Sequence, residues 1–322
     1  MNYRRENVFI FTKPLQYFNI KSIPYANYFD VNDKKTLIVI NNFVNAKGLY
    51  ERIRREDDFW DLVVFCNKYK DAFKYIWTHF FIKNLIINCD LGVETAITCC
   101  IRGFNTYTYE EGIGSYGLWE RSSERGPLYD VITSIVRLLF GNGKIMNESR
   151  WLKGCFLYQP DLFKSLRPHT KTEALPMKNS FSNQLIENFD YYTNVFNIDF
   201  SKYESIKYKK ILLYITTWNV DNNIVREVDK NKNQFDYVFI KLHPHIRNTE
   251  SLVFPSCKDY IFVESQMMVE LFISLLLKNH NEITIYHNNS TSIVYFQNVV
   301  KQISFSKDEL SQPILDYIKA AK

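Results

Sequence analysis

Short apolar stretches alternate with amphipathic stretches along the whole sequence, and this alternation constrains the fold more than any other feature. In the first half, five apolar runs that end in polar residues lie at 7–12, 36–41, 61–67, 83–90 and 105–112. A segment with helical periodicity, 92–104, connects the last two. Strands that alternate with helices favour a parallel sheet covered by helices on both faces. The sequence therefore predicts an α/β fold.

The alternation returns in the second half. Strands are predicted at 210–218, 236–245, 260–265, 282–292 and 301–306, and helices at 223–234, 267–278 and 308–322. Residues 165–205 are polar, contain Pro168 and Pro176, and show no strong period. Because 322 residues exceed what one core usually holds, we expect two domains, at 1–175 and 206–322, with a linker at 176–205.

Composition excludes several function classes. The formal net charge of +5 is too small to demand a nucleic-acid partner, and the basic residues do not cluster. The six cysteines form no CxxC pair, which is typical of a reduced, cytosolic protein. Neither a signal peptide nor a membrane span is predicted, because the apolar runs are too short. No metal-ligand spacing and no dinucleotide or P-loop motif occurs, so no cofactor is expected.

Polar residues that follow predicted strands are the candidate site residues, because ligands of parallel α/β sheets bind beyond the carboxyl ends of the strands. Glu110 and Glu111 end the run at 105–112 and are followed by Gly112 and Gly114. Adjacent carboxylates at a cleft suit a general base, and glycines allow a substrate to approach closely. A solvated acid pair in an ordinary turn is the alternative.

In the second half, Lys241 and His243 lie at the end of a predicted strand that Pro244 stops. Side chains alternate along a strand, so both would share one face, where a cation and an imidazole can hold a phosphate and protonate it. A histidine that only caps the strand is the alternative.

Two further strand ends carry hydroxyl groups. Ser290, Thr291 and Ser292 precede an apolar run, so their hydroxyls and backbone N–H groups could form an anion site at a helix start. Thr216, Thr217 and Trp218 supply two hydroxyls and a flat ring that could cover a ligand. An ordinary helix cap and a buried tryptophan are the respective alternatives.

In chain order, these segments resemble the bacterial sialyltransferases and polysialyltransferases, enzymes of capsule and lipooligosaccharide synthesis. The acid-acid-Gly, His-Pro and Ser-Ser/Thr motifs of that group are similar to residues 110–112, 243–244 and 290–292. The Pro-Leu-Gln segment at 14–16 and the Thr-Thr-Trp segment at 216–218 are also similar. The five motifs lie in the order of that group and cover most of the chain.

The resemblance implies a GT-B architecture, with two Rossmann-like domains facing across a cleft. It also implies an inverting, metal-independent transfer of sialic acid from its CMP donor to a hydroxyl of a surface glycan. Glu111, in preference to Glu110, matches the general base, and His243 matches the group that protonates the leaving phosphate. The implied donor-binding residues are Thr216, Thr217, Trp218, Lys241, Pro244, Glu270, Ser290, Thr291 and Ser292. Glu264 is the alternative to Glu270 as the ribose-binding acid.

Other interpretations of the sequence stay open. Nothing in the motifs separates sialic acid from related nonulosonic acids. A GT-B transferase with another donor, such as CMP-Kdo or a nucleotide diphosphate sugar, is one alternative, and a non-catalytic glycan-binding subunit of a capsule-assembly complex is another. Because CMP-activated sugars are cytosolic and surface glycans are built on lipid carriers, the resemblance implies a cytoplasmic protein that rests on the inner membrane face. An amphipathic helix near 128–140 and a basic segment at 144–153 are the candidate membrane contacts. A helix that packs on its own domain is the alternative for the first.

Overall fold

The chain divides into two compact units, residues 1–179 and residues 180–322. The computed structural model describes residues 4–116, 127–217, 219–243, 246, 260–264, 267–288, 294–305, 317 and 319–320. Each unit is built around its own parallel sheet, so the predicted α/β fold is confirmed. The boundary between the units falls inside the segment that the sequence assigned to a linker.

The first unit contains a sheet of seven strands. They are β1 (Glu6–Phe11), β2 (Lys34–Ile40), β3 (Leu62–Cys66), β4 (Ile82–Ile87), β5 (Asn105–Tyr109), β6 (Leu152–Leu157) and β7 (Glu173–Pro176). Their order in the sheet is β3-β2-β1-β4-β5-β6-β7, and every pairing is parallel. The carboxyl ends of all seven strands therefore meet at one edge.

Helices connect these strands. They are α1 (Pro14–Lys21), α2 (Tyr25–Tyr28), α3 (Ala46–Glu56), α4 (Tyr69–Thr78), α5 (Val93–Arg102), α6 (Pro127–Phe140) and α7 (Pro160–Leu166). Helix α1 was not predicted from the sequence. It begins with a proline, which is favourable at the first helical position. It is buried continuously from Gln16 to Ile20, so it lacks the one-sided pattern that reveals a helix.

The two faces of the first sheet have different cores. One face is aliphatic and packs Val8, Ile38 and Leu85 against α4 and α5, including Ile76. The other face is aromatic: the ring of Phe29 packs edge-on to Tyr107 at a centroid distance of 5.4 Å. Aromatic residues make up 16% of the chain, and part of this content serves this packing.

The second unit contains a sheet of five strands. Its elements are α8 (Phe181–Glu187), α9 (Phe189–Phe196), β8 (Lys210–Ile215), α10 (Asn222–Asn231), β9 (Tyr237–Lys241), β10 (Ile261–Val263), α11 (Val269–Lys278), β11 (Glu282–His287) and β12 (Lys301–Ser304), with short 3-10 turns at Ser201–Tyr203 and Lys232–Gln234. The strand order is β10-β9-β8-β11-β12, and every pairing is parallel. Helix α10 covers one face.

Three sequence expectations need correction. Residues 180–205 of the predicted linker belong to the second unit, where α8 and α9 pack on α11. Strands β6 and β7 extend the first sheet within a region where no strand was predicted. Strand β9 ends at Lys241 rather than at residue 245. The predicted helix at 308–322 lies largely outside the described residues.

Candidate functional site

The carboxylate of Glu111 lies where the carboxyl ends of three neighbouring strands of the first sheet meet. Lys13, after β1, approaches its Oε1 with Nζ at 2.5 Å. Gln16, in α1, donates from Nε2 to the same oxygen at 2.9 Å. Asn88, after β4, donates from Nδ2 to Oε2 at 3.1 Å. We call Glu111, Lys13, Gln16 and Asn88 the acidic site.

The acidic site leaves room for one more donor. Among the described residues, Oε1 of Glu111 has two partners and Oε2 has one, Asn88. A carboxylate oxygen can accept about two hydrogen bonds, so Oε2 can take another. The Glu111 side chain is 20% exposed, which makes it accessible to a ligand. The carboxylate is therefore held in place and can still accept a hydrogen bond from a ligand.

The amide of Gln16 is oriented by its carbonyl oxygen. That oxygen accepts the backbone N–H of Thr12 at 2.7 Å and the Thr12 hydroxyl at 3.2 Å. The hydroxyl of Tyr109, at the end of β5, lies 3.4 Å from the same oxygen but donates to the carbonyl of Ile10 at 2.8 Å, so the two Thr12 donors hold the Gln16 oxygen. Because these donors fix the oxygen, the NH₂ group must face Glu111. Gln16 itself is almost fully buried.

Glu110 is not part of the acidic site, contrary to the expectation that it could act as the base. It is fully buried, and its carboxylate accepts hydrogen bonds from the Tyr116 hydroxyl and, at 2.8 Å, from the backbone N–H of Tyr158. Strand β5 ends at Tyr109, and the two acids after it point in different directions. Glu110 therefore fastens the 111–116 turn to the end of β6.

The turn that follows Glu111 is fixed from both sides. The hydroxyl of Ser115 accepts the backbone N–H of Glu111 at 2.8 Å. Gly112 has a φ of 71°, a conformation that favours glycine. This conformation accounts for Gly112 without the close substrate approach that the sequence suggested. On the other side of the turn, Asn147 donates from Nδ2 to the Ser115 carbonyl at 3.2 Å.

The loop that contains Asn147 is anchored by a buried acid. Asp90 is fully buried and accepts the backbone N–H groups of Asn147 and Ser149, at 2.8 and 3.1 Å. Burial raises the pKa of Asp90, although these hydrogen bonds oppose the shift. Asp90 therefore holds the loop with Asn147, and Asn147 in turn holds the turn that follows Glu111.

In the second unit, His243 follows the end of β9, and its backbone is held by the neighbouring strand. Its N–H donates to the hydroxyl of Thr216 at 2.8 Å. The N–H of Thr216 in turn donates to the carbonyl of Lys241 at 3.0 Å. The sequence suggested that the side chains of Lys241 and His243 lie on one face of a strand. Because β9 ends at Lys241, the alternation of side chains along a strand does not extend to His243, and this argument no longer applies. Thr216 instead fixes where His243 leaves the sheet.

Lys241 and Glu270 are both buried at the carboxyl end of the second sheet. Lys241 is 4% exposed and Glu270, in the first turn of α11, is 6% exposed. Burial lowers the pKa of Lys241 to about 8, and the charge of Glu270 opposes this shift. A carboxylate in the first helical turn is also favoured by the helix dipole. We call Lys241, Glu270, Thr216 and His243 the basic site.

The remaining predicted residues fall into two groups. Glu264, the alternative to Glu270, is 67% exposed and pairs with Lys202 at 2.6 Å, so it does not join the basic site. Thr217 is half-buried, and its hydroxyl points to the carbonyl of Asn219 at 3.4 Å. Trp218, Pro244, Ser290, Thr291 and Ser292 lie outside the described residues.

A second histidine ends a strand of the same sheet. His287 pairs in register with Ile215, which pairs with Lys241, so the three form one row across β11, β8 and β9. His287 is 6% exposed, and its Nδ1 has no hydrogen-bond partner among the described residues. Burial lowers its pKa to about 4. The imidazole is therefore neutral at physiological pH.

Sequence reasoning missed most of the polar groups around Glu111. The sequence marks Gln16 only through the similar Pro-Leu-Gln segment at 14–16, and no motif marks Lys13 or Asn88. Lys13 follows the apolar run at 7–12 and Asn88 lies at the polar end of the run at 83–90, positions like those of the other candidates. In the parts of the chain that the structure describes, no group of three or more His, Cys, Asp or Glu side chains could hold a metal ion. Within the same residues, no helix is long and apolar enough to cross a membrane.

Comparison with solved structures identifies the fold. UDP-GlcNAc 2-epimerase from Neisseria meningitidis, bound to UDP-GlcNAc, matches with a TM-score of 0.60 at 11% identity, over 98% of this chain and 90% of that one. UGT73P12 from Glycyrrhiza uralensis, complexed with glycyrrhetinic acid 3-O-monoglucuronide, matches with a TM-score of 0.55 at 8% identity, over 99% and 86%. No protein-family model and no curated protein sequence matches the chain.

These similarities extend over nearly the whole chain, but the sequence identities are too low to transfer an activity. They agree with the two parallel sheets, each flanked by helices, that the structure describes. The chain therefore has the GT-B fold.

Proposed function

We propose that the protein is an inverting glycosyltransferase that moves sialic acid, or a related nonulosonic acid, from a CMP donor to a hydroxyl of a bacterial surface glycan. The observation that carries this proposal is the Glu111 carboxylate, which three side chains hold and which can accept one more hydrogen bond. The GT-B fold supports it, since glycosyl transfer is a common activity of that fold, and so do the motifs at 110–112 and 243–244.

In this mechanism, Glu111 accepts the proton of the acceptor hydroxyl as that oxygen attacks the anomeric carbon. Lys13, Gln16 and Asn88 keep the carboxylate in one orientation, so no reorganisation is needed during the reaction. The hydroxyl would donate to Oε2, the oxygen with the single partner. Glu110 takes no chemical part, because it is buried and already hydrogen-bonded.

The basic site would bind the donor. In this proposal His243 protonates the phosphate of the departing CMP, which makes it a better leaving group. Lys241 supplies a positive charge next to the nucleotide, and Glu270 accepts hydrogen bonds from the ribose hydroxyls. Glu270 suits this role better than Glu264, since Glu264 is exposed and paired with Lys202. Because protein groups neutralise a monophosphate leaving group, the proposed reaction is independent of metal ions, and EDTA should leave it unchanged.

A matched pair of variants tests the proposal. Glu111→Gln removes the base and should reduce transfer at least a thousandfold, while CMP affinity and thermal stability stay near wild type. Glu110→Gln keeps an acceptor oxygen for Tyr116 and Tyr158 and should retain most of the transfer activity. Transfer by Glu111→Gln at the wild-type rate would refute the assignment.

A panel of donors tests the substrate class. The protein should release CMP from CMP-activated nonulosonic acids in the presence of acceptor glycan and leave UDP-sugars intact. Turnover of CMP-Kdo or of a nucleotide diphosphate sugar alone would establish a different GT-B transferase. If no nucleotide raises the melting temperature, a non-catalytic glycan-binding subunit is the better interpretation, since saturating ligand stabilises the folded state.

A further inference from the structure

Helix α6 turns an apolar stripe toward solvent. Its exposed residues Val131, Ile132, Ile135, Leu138 and Leu139 are between 44% and 83% exposed. Their spacing of one, four, seven and eight residues from Val131 places them on one face of the helix. We call these five residues the α6 face.

The other side of α6 packs on its own unit. Val136 is buried, and α6 contacts α5. The thiol of Cys100, in α5, donates to the carbonyl of Phe140 at 3.3 Å. Helix α6 therefore has two apolar sides: one packs on the core of the first unit, and the other, the α6 face, is exposed. A helix that only covers its domain would show polar residues there instead.

More exposed apolar side chains lie next to the end of α5. Ile101 is 59% exposed and Phe80 is 79% exposed. Arg102 connects them to α4: its guanidinium lies over the Phe80 ring at 5.2 Å from the centroid and donates to the carbonyl of Trp77 at 2.7 Å. These side chains add to the exposed apolar surface of the first unit, and clustered apolar groups on a protein surface mark interaction sites.

Basic side chains flank the carboxyl end of the α6 face. The N–H of Arg150 donates to the carbonyl of Gly141, next to the end of α6, at 2.8 Å. Arg150 and Lys144 are exposed, and neither has an ion-pair partner among the described residues. An apolar stripe bordered by free cations complements a bilayer of anionic lipids. A second copy of the chain would instead bring the same cations together, which disfavours a symmetric dimer.

From these observations we infer that the α6 face is a docking surface for an anionic phospholipid bilayer, with the apolar stripe inserted at the interface and Lys144 and Arg150 at the headgroups. This inference rests on surface properties of the first unit and goes beyond the proposed function. Its test is also separate from the tests of the proposed function, because membrane binding needs neither a sugar donor nor an acceptor glycan.

Vesicle co-sedimentation of the full chain tests the inference. Wild-type protein should bind vesicles of phosphatidylcholine and phosphatidylglycerol and bind pure phosphatidylcholine at least tenfold more weakly. The double variant Leu138→Glu/Leu139→Glu should lose at least tenfold in affinity for the anionic vesicles. The double variant Val31→Glu/Val44→Glu, which adds the same two charges at other exposed apolar residues of the first unit, should bind like wild type.

Two further measurements separate the alternatives. Lys144→Gln/Arg150→Gln should weaken binding to anionic vesicles and reduce its salt dependence, and Glu111→Gln should bind as wild type does. Failure of the wild type to bind, or equal binding by the Leu138/Leu139 variant, would overturn the inference. A wild-type dimer in sedimentation velocity that this variant abolishes, without vesicle binding, would assign the α6 face to a second copy.

Discussion

The side-chain amide of Gln16 donates to Oε1 of Glu111 across 2.9 Å and joins the first helix of the chain to the end of its fifth strand. Gln16 reaches Glu111 in a single orientation, because Thr12 holds its carbonyl oxygen. The contact crosses 95 positions of sequence. It gives the acidic site a rigidity that a pair of neighbouring acids in a turn would not have.

Gln16→Glu should therefore shift the pH profile of transfer. The new carboxylate keeps an oxygen for the Thr12 N–H but places a second negative charge beside Glu111, which disfavours ionisation of the pair. The acid limb of kcat/KM should move to higher pH, and the maximal rate should fall roughly tenfold or more. Gln16→Met, which removes the donor without adding charge, is the control: it should lower the rate and move the acid limb less than Gln16→Glu does, because it removes one hydrogen bond to the carboxylate but adds no second negative charge. An identical shift in both variants would argue against the electrostatic explanation.

His243→Ala should lower the rate of transfer roughly 10²- to 10⁴-fold, which is the usual range for the loss of general acid-base help. The natural measurement is single-turnover transfer with saturating donor, because it separates chemistry from product release. A loss confined to donor affinity, with an unchanged single-turnover rate, would reduce His243 to a binding residue.

Thr216→Val tests how His243 is positioned. The variant removes the buried hydroxyl that accepts the N–H of His243, and an unsatisfied buried N–H costs about 1–3 kcal/mol. Denaturant unfolding should show this loss, and CMP affinity should fall with it. Thr217→Val is a matched control at the next residue and should be close to neutral in both measurements. Equal effects of the two substitutions would contradict this role for Thr216.

Lys241 predicts a pH dependence of nucleotide binding. Its pKa of about 8 means that the free protein loses this positive charge as the pH rises through 8. Since a phosphate group binds the charged amine better, CMP affinity should be full below pH 7 and weaken roughly tenfold or more by pH 9.5. Titration calorimetry in buffers of different ionisation enthalpy should also detect proton uptake on binding near pH 8.5. Lys241→Met should bind weakly at every pH, so a surviving pH dependence in that variant would assign the effect to another group.

His287 should make the protein sensitive to acid. Its pKa is about 4 in the folded state and 6.5 in the unfolded chain, so the unfolded state binds a proton first as the pH falls. The contribution of His287 to the free energy of unfolding is fully present above pH 6.5 and is lost as the pH falls toward 4. At pH 5 the loss is about 2 kcal/mol. The test is the difference in unfolding free energy between pH 7.5 and pH 5. That difference should be smaller by this amount in His287→Gln, and equal differences in the two proteins would show that the imidazole is not buried.

The sequence predicted ten of the twelve strands that the structure describes, and it failed where the pattern of burial or composition differs from that of a short apolar run. All ten predicted strand segments contain strands, because a short apolar run between polar residues is long enough for a buried strand and too short for a typical helix. Helix α1 was missed because it is buried on all sides, and β7 because it is short and ends at Pro176. Helices α8 and α9 were missed because each is only seven or eight residues long and lies in a stretch whose overall polar composition resembles that of a linker.

The candidate site was predictable only in part, for a related reason. Glu111, Lys241 and His243 lie at strand ends in short motifs, so position alone singled them out. The partners of Glu111 come from the ends of β1 and β4, and no local pattern connects them to β5. Burial, which separates Glu110 from Glu111 and Glu270 from Glu264, is a property of the folded chain.

The purely parallel pairing of the strands also dictates when each unit can be completed during synthesis. β1 lies between β2 and β4, so the centre of the first sheet cannot close until residue 87 has left the ribosome, and its last edge needs residue 176. None of these strands waits for the second unit, whose own first strand begins at Lys210. The N-terminal half can therefore fold while the C-terminal half is still being translated, which shields its long-range pairings from competition with five similar strands.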